Sequence, residues 1–456
     1  MACGLGAWHR AADRHPAKSR KGLPMNRLLA ALPVALAVLP SGLAAQDIAA
    51  PPAAATRTAL EIRADEVAAL VNGKAEPAAI FTARFRAAVS DAQLRTLIAG
   101  LVAQFGPALG ASVDPRDGTR GSLEIRLERG IAKGSIGIAP AEDNRVSELL
   151  ISSAEPLAVA GDTPQAIAAE LAALPGTVNV WFGPLGGGTP LLARDPERPL
   201  AIGSAFKLYV LAALAEDVKA GRRKWSDVVP LGVESYPSGQ LQDWPQGAPV
   251  TLHSLASLMI AISDNTATDQ LIATLGKDRI LAAVRDSGHA DPTRNTPFLT
   301  TRELFVLKAG GEPRIAGWRE SDAERRTAIL AGLADESRTL DEVNAAFAQG
   351  PRALDIEWFA SPADLARLFA FMRRTGDTQA FDILAINAQA SAAMKAQWRY
   401  AGFKGGSEPG VINLTWLLTD EAGRDWMMSL GWNDEASVVD EGKALALARR
   451  IMLLPR

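Results

Sequence analysis

Ser204 and Lys207 stand three residues apart in Ser204-Ala205-Phe206-Lys207, and on a helix this spacing puts a hydroxyl and an amine on one face. A serine hydroxyl is a poor nucleophile unless a neighbouring group takes its proton. The apolar run 208–214 implies a buried helix, and burial disfavours a charged amine, so Lys207 is the local candidate for that base. Alone, a Ser-x-x-Lys tetrapeptide is short enough to arise by chance with an exposed lysine. Two further polar motifs follow it in order, Ser263-Asp264-Asn265 and Lys404-Gly405-Gly406-Ser407. The three together offer a nucleophile, a base, a second hydroxyl, an amide, a cation and glycines that permit close backbone approach. Such a set suits serine acyl transfer. Ser263-Asp264-Asn265 also has the composition of a helix-capping turn. His253 precedes a helix and His289 lies in a Gly/Asp/Pro turn, so both read as surface or capping residues rather than members of a Ser-His-Asp triad. No His/Asp/Glu spacing suggests zinc, and no metal or cofactor is expected. Tyr236 and Trp244 read either as packing or as a cleft rim.

The elements that must position these residues belong to the second part of the chain. Residues 164–174 have helical spacing, 178–182 and 190–193 read as strands joined by a glycine-rich turn, and the Ser204 helix follows. At the far end, 410–419 and 426–432 form a hairpin across 420–423, and a last helix covers 438–454. Strands at both ends with a helical middle imply one antiparallel sheet flanked by helices, plus an all-helical lobe. This domain spans 163–456. Ahead of it, 61–109 is dominated by helical spacing and predicts two or three helices; 123–127, 136–138 and 149–151 alternate like strands between turns. Helices followed by a meander predict a small α+β domain over 59–158. It resembles cystatin-like or steroid-isomerase-like cone folds in element order, and it reads as a packing or positioning domain without a convergent polar set. The fold class is α+β throughout.

With 456 residues and 48% hydrophobic content the chain can bury a large core, and its length suggests roughly two to three domains. A formal net charge of −3, from 48 Lys+Arg against 51 Asp+Glu, gives no electrostatic case for nucleic acid. Met25-Asn26-Arg27, the apolar run 28–40 and small residues around Ala44 and Ala45 have the regions of a secretory signal, so 1–45 reads as a leader with Met25 as the true start and 46–58 as an Ala/Pro-rich linker. A membrane span is the alternative, but the run is broken by Pro33 and Pro40 and is shorter than the roughly 20 residues a span needs. The single cysteine, Cys3, would leave with the leader, which excludes disulfides and thiolate metal sites from the mature protein, and no cysteine at the cleavage site argues against a lipid anchor. A periplasmic or secreted location without a stable membrane anchor is the expectation.

The three ordered motifs, within 177–213, 251–270 and 400–432, resemble the class A β-lactamase catalytic domain of the penicillin-recognising serine hydrolases. Ser361-Pro362-Ala363-Asp364 is similar to the start of a helix late in that fold's helical lobe, and the two-domain order resembles lactamase-like proteins of clavam biosynthesis. The resemblance implies that Ser204 is the nucleophile, that Lys207 is its base, that Ser263 relays a proton toward the leaving group, and that Asn265 positions lysine and substrate. It makes Asp264 structural. Lys404 would polarise Ser263 and attract a substrate carboxylate, Gly405 and Gly406 would line the substrate, and the backbone N–H groups of Ser204 and Ser407 would form the oxyanion hole.

Two departures qualify that reading. Gly405 removes a hydroxyl that the family offers to the carboxylate, which Ser407 would have to replace. The Glu-x-x-Leu-Asn loop that supplies the deacylating base is not recognisable; in its interval 294–303, Glu303 is the nearby carboxylate, and with Thr300 it also makes a capping box. The chain is therefore expected to be acylated by β-lactams at Ser204 and to release the acyl group slowly. An esterase or D-amino-acid peptidase or transpeptidase with the same nucleophile is one alternative, and a non-catalytic β-lactamase-like binding protein is the other. The expected partner in each case is a small molecule: a β-lactam, an ester or a D-amino-acid peptide.

Overall fold

The computed structural model describes residues 57–156, 161–334, 336 and 338–456. The leader and signal expected over 1–45, and the linker up to residue 56, lie outside the described residues. No helix among the described residues is long and apolar enough to cross a membrane.

Helices Ala59–Val71, Pro77–Ile80, Ala83–Ala88 and Asp91–Phe105 open the described chain. The first and last begin at capping boxes, Thr58 with Glu61 and Ser90 with Gln93, each of which satisfies N–H groups that a helix start leaves without partners. Strands β1 (Ala108–Pro115), β2 (Arg120–Leu127), β3 (Gly130–Ala139) and β4 (Arg145–Pro156) then form an antiparallel sheet in sequential order. Leu123, Ile125 and Leu127 of β2 are buried while Ser122 and Arg126 face outward, the two-residue alternation of a sheet with one wet face. They share a core with Leu60, Val67, Phe81 and Phe105. The structure has four helices here where the spacing predicts two or three, and it adds β1, whose Asp114 and Pro115 look like turn residues in the sequence.

Beyond this module, β5 (Thr177–Pro184), β6 (Leu192–Arg194), β11 (Tyr400–Glu408), β12 (Val411–Thr419) and β13 (Asp425–Asn433) make a second antiparallel sheet in the order β11-β12-β13-β5-β6. Strands β12 and β13 are buried at nearly every position because both faces are covered. On one face Val180, Phe182, Trp416, Met428 and Leu430 pack with Ile167 and Leu171 of helix Pro164–Ala172 and with Leu447 and Ile451 of helix Glu441–Met452. On the other, Leu417 and Met427 join the core of the helical lobe. Full burial of each such aliphatic side chain is worth about 1.5–3 kcal/mol. Short pairs β7 (Leu200–Ala201) with β10 (Phe359–Ala360) and β8 (Val228–Pro230) with β9 (Pro249–Thr251) complete the strands. Helix Asp91–Phe105 packs on helix Glu441–Met452, and Thr58–Arg456 form one compact unit with distinct cores in its two parts.

Candidate active site

Strand β7 runs directly into a 3-10 turn, Gly203–Phe206, and then into helix Lys207–Lys219. Residues 207–215 of that helix are all buried, as the apolar run implied. Ile202 N donates to Trp358 O at 3.0 Å, and the Phe206 ring stacks on Trp358 with centroids 3.6 Å apart, so the turn carrying Ser204 is backed by the segment before β10. Strand β11 closes its other side. Gly203 has φ +47, and a Cβ there would sit 3.0 Å from Ser407 N; a Cβ on Gly406 would sit 2.3 Å from Ser204 N and 2.2 Å from Ile202 O. Only glycine at 406 allows this approach.

The Ser263-Asp264-Asn265 motif lies between helices Leu252–Ala261 and Asn265–Leu275. Ser263 has φ +58, a left-handed conformation that costs a residue with a Cβ about 1–3 kcal/mol. Its surroundings impose it. Asp264 is fully buried and accepts from three backbone N–H groups, Ala267 at 2.8 Å, Gln240 at 2.6 Å and Leu241 at 3.0 Å, so it both caps the helix and anchors the 240–241 segment. Ser263 O accepts from Ser238 Oγ at 2.7 Å and from Lys207 Nζ at 2.8 Å.

Lys207 is completely buried, and its amine also donates to Asn265 Oδ1 at 2.6 Å and lies 3.1 Å from Ser263 Oγ, a hydroxyl that can donate to the amine when it is neutral and accept from it when it is charged. The Asn265 amide turns its Nδ2 to Tyr236 O at 3.0 Å. From β11, Lys404 Nζ donates to the same Ser263 Oγ at 3.0 Å and to Gly405 O. The structure thus joins Lys207, Ser263, Asn265 and Lys404 in one hydrogen-bonded network and sets Gly406 and Ser407 of β11 against the main chain of the turn that carries Ser204. Burial holds the Lys207 amine well below the ordinary lysine range, with repulsion from Lys404 adding to it and Asp269 and Asp264 opposing. Burial pulls Lys404 down to about 7. A neutral amine that can accept a proton and an ammonium that can donate one are therefore both accessible near neutral pH.

Glu303 is placed elsewhere. It is the third residue of helix Thr301–Ala309, where it completes the capping box with Thr300, and both its oxygens accept from Lys277 Nζ at 2.6 and 2.7 Å. The network around Ser263 is built without it. Of the histidines, His253 is exposed, but His289 is buried: Nδ1 accepts from Asp291 N at 3.1 Å, which leaves Nε2–H to donate to Phe359 O at 2.9 Å. The turn composition around His289 had suggested a surface position; its ring instead joins a buried knot with Asn295, whose side chain pairs with both the N–H and the O of Phe359. Tyr236 O holds Asn265 and its hydroxyl donates to Arg338 O, while Trp244 is 46% exposed.

Sequence reading missed Asp269. It is buried one turn beyond Asn265, its carboxylate accepts from Thr301 N at 2.8 Å and Arg302 N at 2.9 Å, and burial raises its pKa. The i+4 spacing from Asn265 was the available signal. Among the described residues no group of three or more His, Cys, Asp or Glu side chains could hold a metal ion.

Residues 163–397 match the model of the Beta-lactamase2 family, described as the beta-lactamase enzyme family. No curated protein matches the chain. Among solved structures, a beta-lactamase from Sphaerobacter thermophilus DSM 20745 is 22% identical, covering 64% of this chain and 95% of its own with a TM-score of 0.44. A beta-lactamase from Desulfarculus baarsii DSM 2075 is 17% identical over 64% and 98% of the two chains, TM-score 0.44, and PBP-A is 18% identical over 64% and 94%, TM-score 0.42.

Proposed function

The chain belongs to the beta-lactamase enzyme family, and on that premise we propose that it is a secreted or periplasmic serine hydrolase of the class A type, acylated at Ser204 by β-lactams and slow to release the acyl group. The observation that carries this reading is the convergence of two buried lysine amines on one hydroxyl, Lys207 at 3.1 Å and Lys404 at 3.0 Å from Ser263 Oγ. A buried amine held neutral is able to take the Ser204 proton as Oγ bonds to the lactam carbonyl carbon. Negative charge on the carbonyl oxygen would be met by the N–H groups of Ser204 and Ser407, which belong to stretches in close contact. As the tetrahedral intermediate collapses the C–N bond breaks, and the ring nitrogen takes the Ser263 hydroxyl proton, which the adjoining lysine ammonium replaces.

The surroundings of Glu303 support the proposal of slow release. Its carboxylate is committed to Lys277 and Thr300, so it is poorly suited to activate water. The same fact, with the missing hydroxyl at Gly405, favours a second reading in which the acyl donor is an ester or a D-amino-acid peptide and the acceptor is not always water. Intact-protein mass after exposure to a reactive penicillin tests both. An adduct in the wild type that is absent in Ser204→Ala supports the acyl-enzyme, its lifetime divides lactam turnover from trapping, and no adduct with penicillins or activated esters would leave only a binding role.

A further inference from the structure

Three charged side chains outside this constellation meet in the interior. Lys308, fully buried near the end of helix Thr301–Ala309, points its amine at Glu357 Oε1, 3.3 Å away, and at Glu408 Oε1, with side-chain exposures of 0%, 1% and 10% for Lys308, Glu357 and Glu408. The two glutamates come from the two segments that sandwich Ser204. Glu408 ends β11, one residue after Ser407 and on the same strand face as Gly406, which touches Ser204 N. Glu357 precedes Trp358, whose N–H donates to Glu357 Oε2 at 3.2 Å, whose O holds Ile202 N, and whose ring backs Phe206. Lys308 therefore clamps the outer end of the oxyanion strand to the support behind the nucleophile turn.

We propose that Glu357, Lys308 and Glu408 are positioning residues of the oxyanion hole, fixing the separation between the Ser407 and Ser204 N–H groups; the proposal rests on Ser204 being the nucleophile. An ion pair here is costly to desolvate and contributes little net stability, and removing one partner leaves an uncompensated buried charge, so such a group is best explained by the geometry it enforces. Two carboxylates face one ammonium. Burial pushes Glu408 well above the usual carboxylate range against the pull of Lys308, with Glu357 adding to the rise, so the cluster holds a proton to higher pH than a free carboxylate would. Burial lowers Lys308, but the two carboxyl groups facing it more than offset this and raise its pKa overall. The charged groups around the cluster are Arg352, which donates to Lys308 O at 2.8 Å and faces Glu312 at 4.0 Å, and Asp355, which is paired with Arg319 at 2.7 Å. When that proton is lost the cluster gains a net negative charge at the end of the strand that carries Ser407, and this charge would oppose an oxyanion held there.

The test is the pH dependence of Ser204 acylation, measured with an activated ester in the wild type, Glu408→Gln, Glu408→Ala and Lys308→Met. Glu408→Gln keeps an acceptor for Lys308 but cannot ionise, so it should retain most of the rate at pH 7 and outpace the wild type above pH 8. Glu408→Ala and Lys308→Met should lose about tenfold or more in rate constant with little change in ester binding, since one oxyanion donor is worth about 10²–10³. Superimposable pH profiles for wild type and Glu408→Gln, together with an undiminished rate in Glu408→Ala, would overturn the proposal. A second readout is independent of chemistry. A carboxyl whose folded pKa is raised contributes stability below its ordinary value near 4.5 and loses it as pH rises toward 8, so the melting temperature of the wild type should fall relative to Glu408→Gln across that window. If the wild type accepts no acyl group, the reading of Ser204 fails, and a constant melting-temperature offset between the two would sink the cluster's titration separately.

Discussion

Lys207 and Lys404 lie on different elements, a helix and a strand nearly two hundred residues apart, yet their amines reach the same Ser263 Oγ at 3.1 and 3.0 Å. Two ammonium groups that close repel, and both are buried, so at least one is driven toward the neutral form at a pH where free lysine is charged. The hydroxyl between them is poised to pass a proton either way.

Replacement of Ser204 by alanine should abolish covalent labelling by penicillins and activated esters while the melting temperature stays within a few degrees of wild type. Labelling of Ser204→Ala at the wild-type level, read by intact mass, would remove this serine from the mechanism.

Lys207→Ala should slow acylation by about 10²–10⁴, the usual range for loss of a positioned base. Stopped-flow acylation with a chromogenic lactam gives the number, and a loss below threefold would mean that the buried amine is only structural.

Lys404 is charged below about pH 7 and neutral above it. Preference for a carboxylate-bearing acyl donor over its neutral ester should therefore be strongest at pH 6 and weaken by pH 8, and Lys404→Ala should be indifferent to pH over this range. Competition between the two donors at each pH checks it; a flat wild-type preference would assign carboxylate binding to another group.

Asp269 opposes the downward push on Lys207. Asp269→Asn removes that negative charge, so neutral Lys207 should persist to lower pH and the acidic limb of the acylation profile should move to lower pH. The same variant loses one of two acceptors for Thr301 N and Arg302 N and should destabilise by about 1–3 kcal/mol in urea unfolding. A profile that moves upward or stays fixed would contradict the electrostatic account.

Glu303→Gln should leave steady-state lactam turnover within about twofold of wild type and cost about 1 kcal/mol of stability through the capping box and the Lys277 pair. A pre-steady-state burst followed by slow turnover in both proteins is expected. A selective collapse of the slow phase in Glu303→Gln would make it the deacylation base after all.

Ser204 with Lys207 and the Ser263 motif were legible because each is local, three residues of one chain segment beside an apolar helix. The helix start at Ser361-Pro362-Ala363-Asp364 was legible only through its resemblance to the family; the structure adds its local cause, the capping box of Ser361 and Asp364 on helix Pro362–Thr375. The Glu357–Lys308–Glu408 cluster was not: its partners lie 49 and 100 residues apart, and each alone looks like a surface charge. His289 was misjudged because turn composition reports backbone geometry and says nothing about what later packs over the turn. Its burial depends on Phe359, 70 residues on.

Gly406 leaves no room for even one carbon, because the atoms such a carbon would strike are backbone, Ile202 O, Ser204 N and Ala205 N, rather than side chains that can swing aside. Gly406→Ala would then act as a wedge. It leaves every hydroxyl, amine and carboxylate of the constellation in place and alters only the spacing between two stretches of main chain, yielding a chain whose reactivity reports distance with composition held constant.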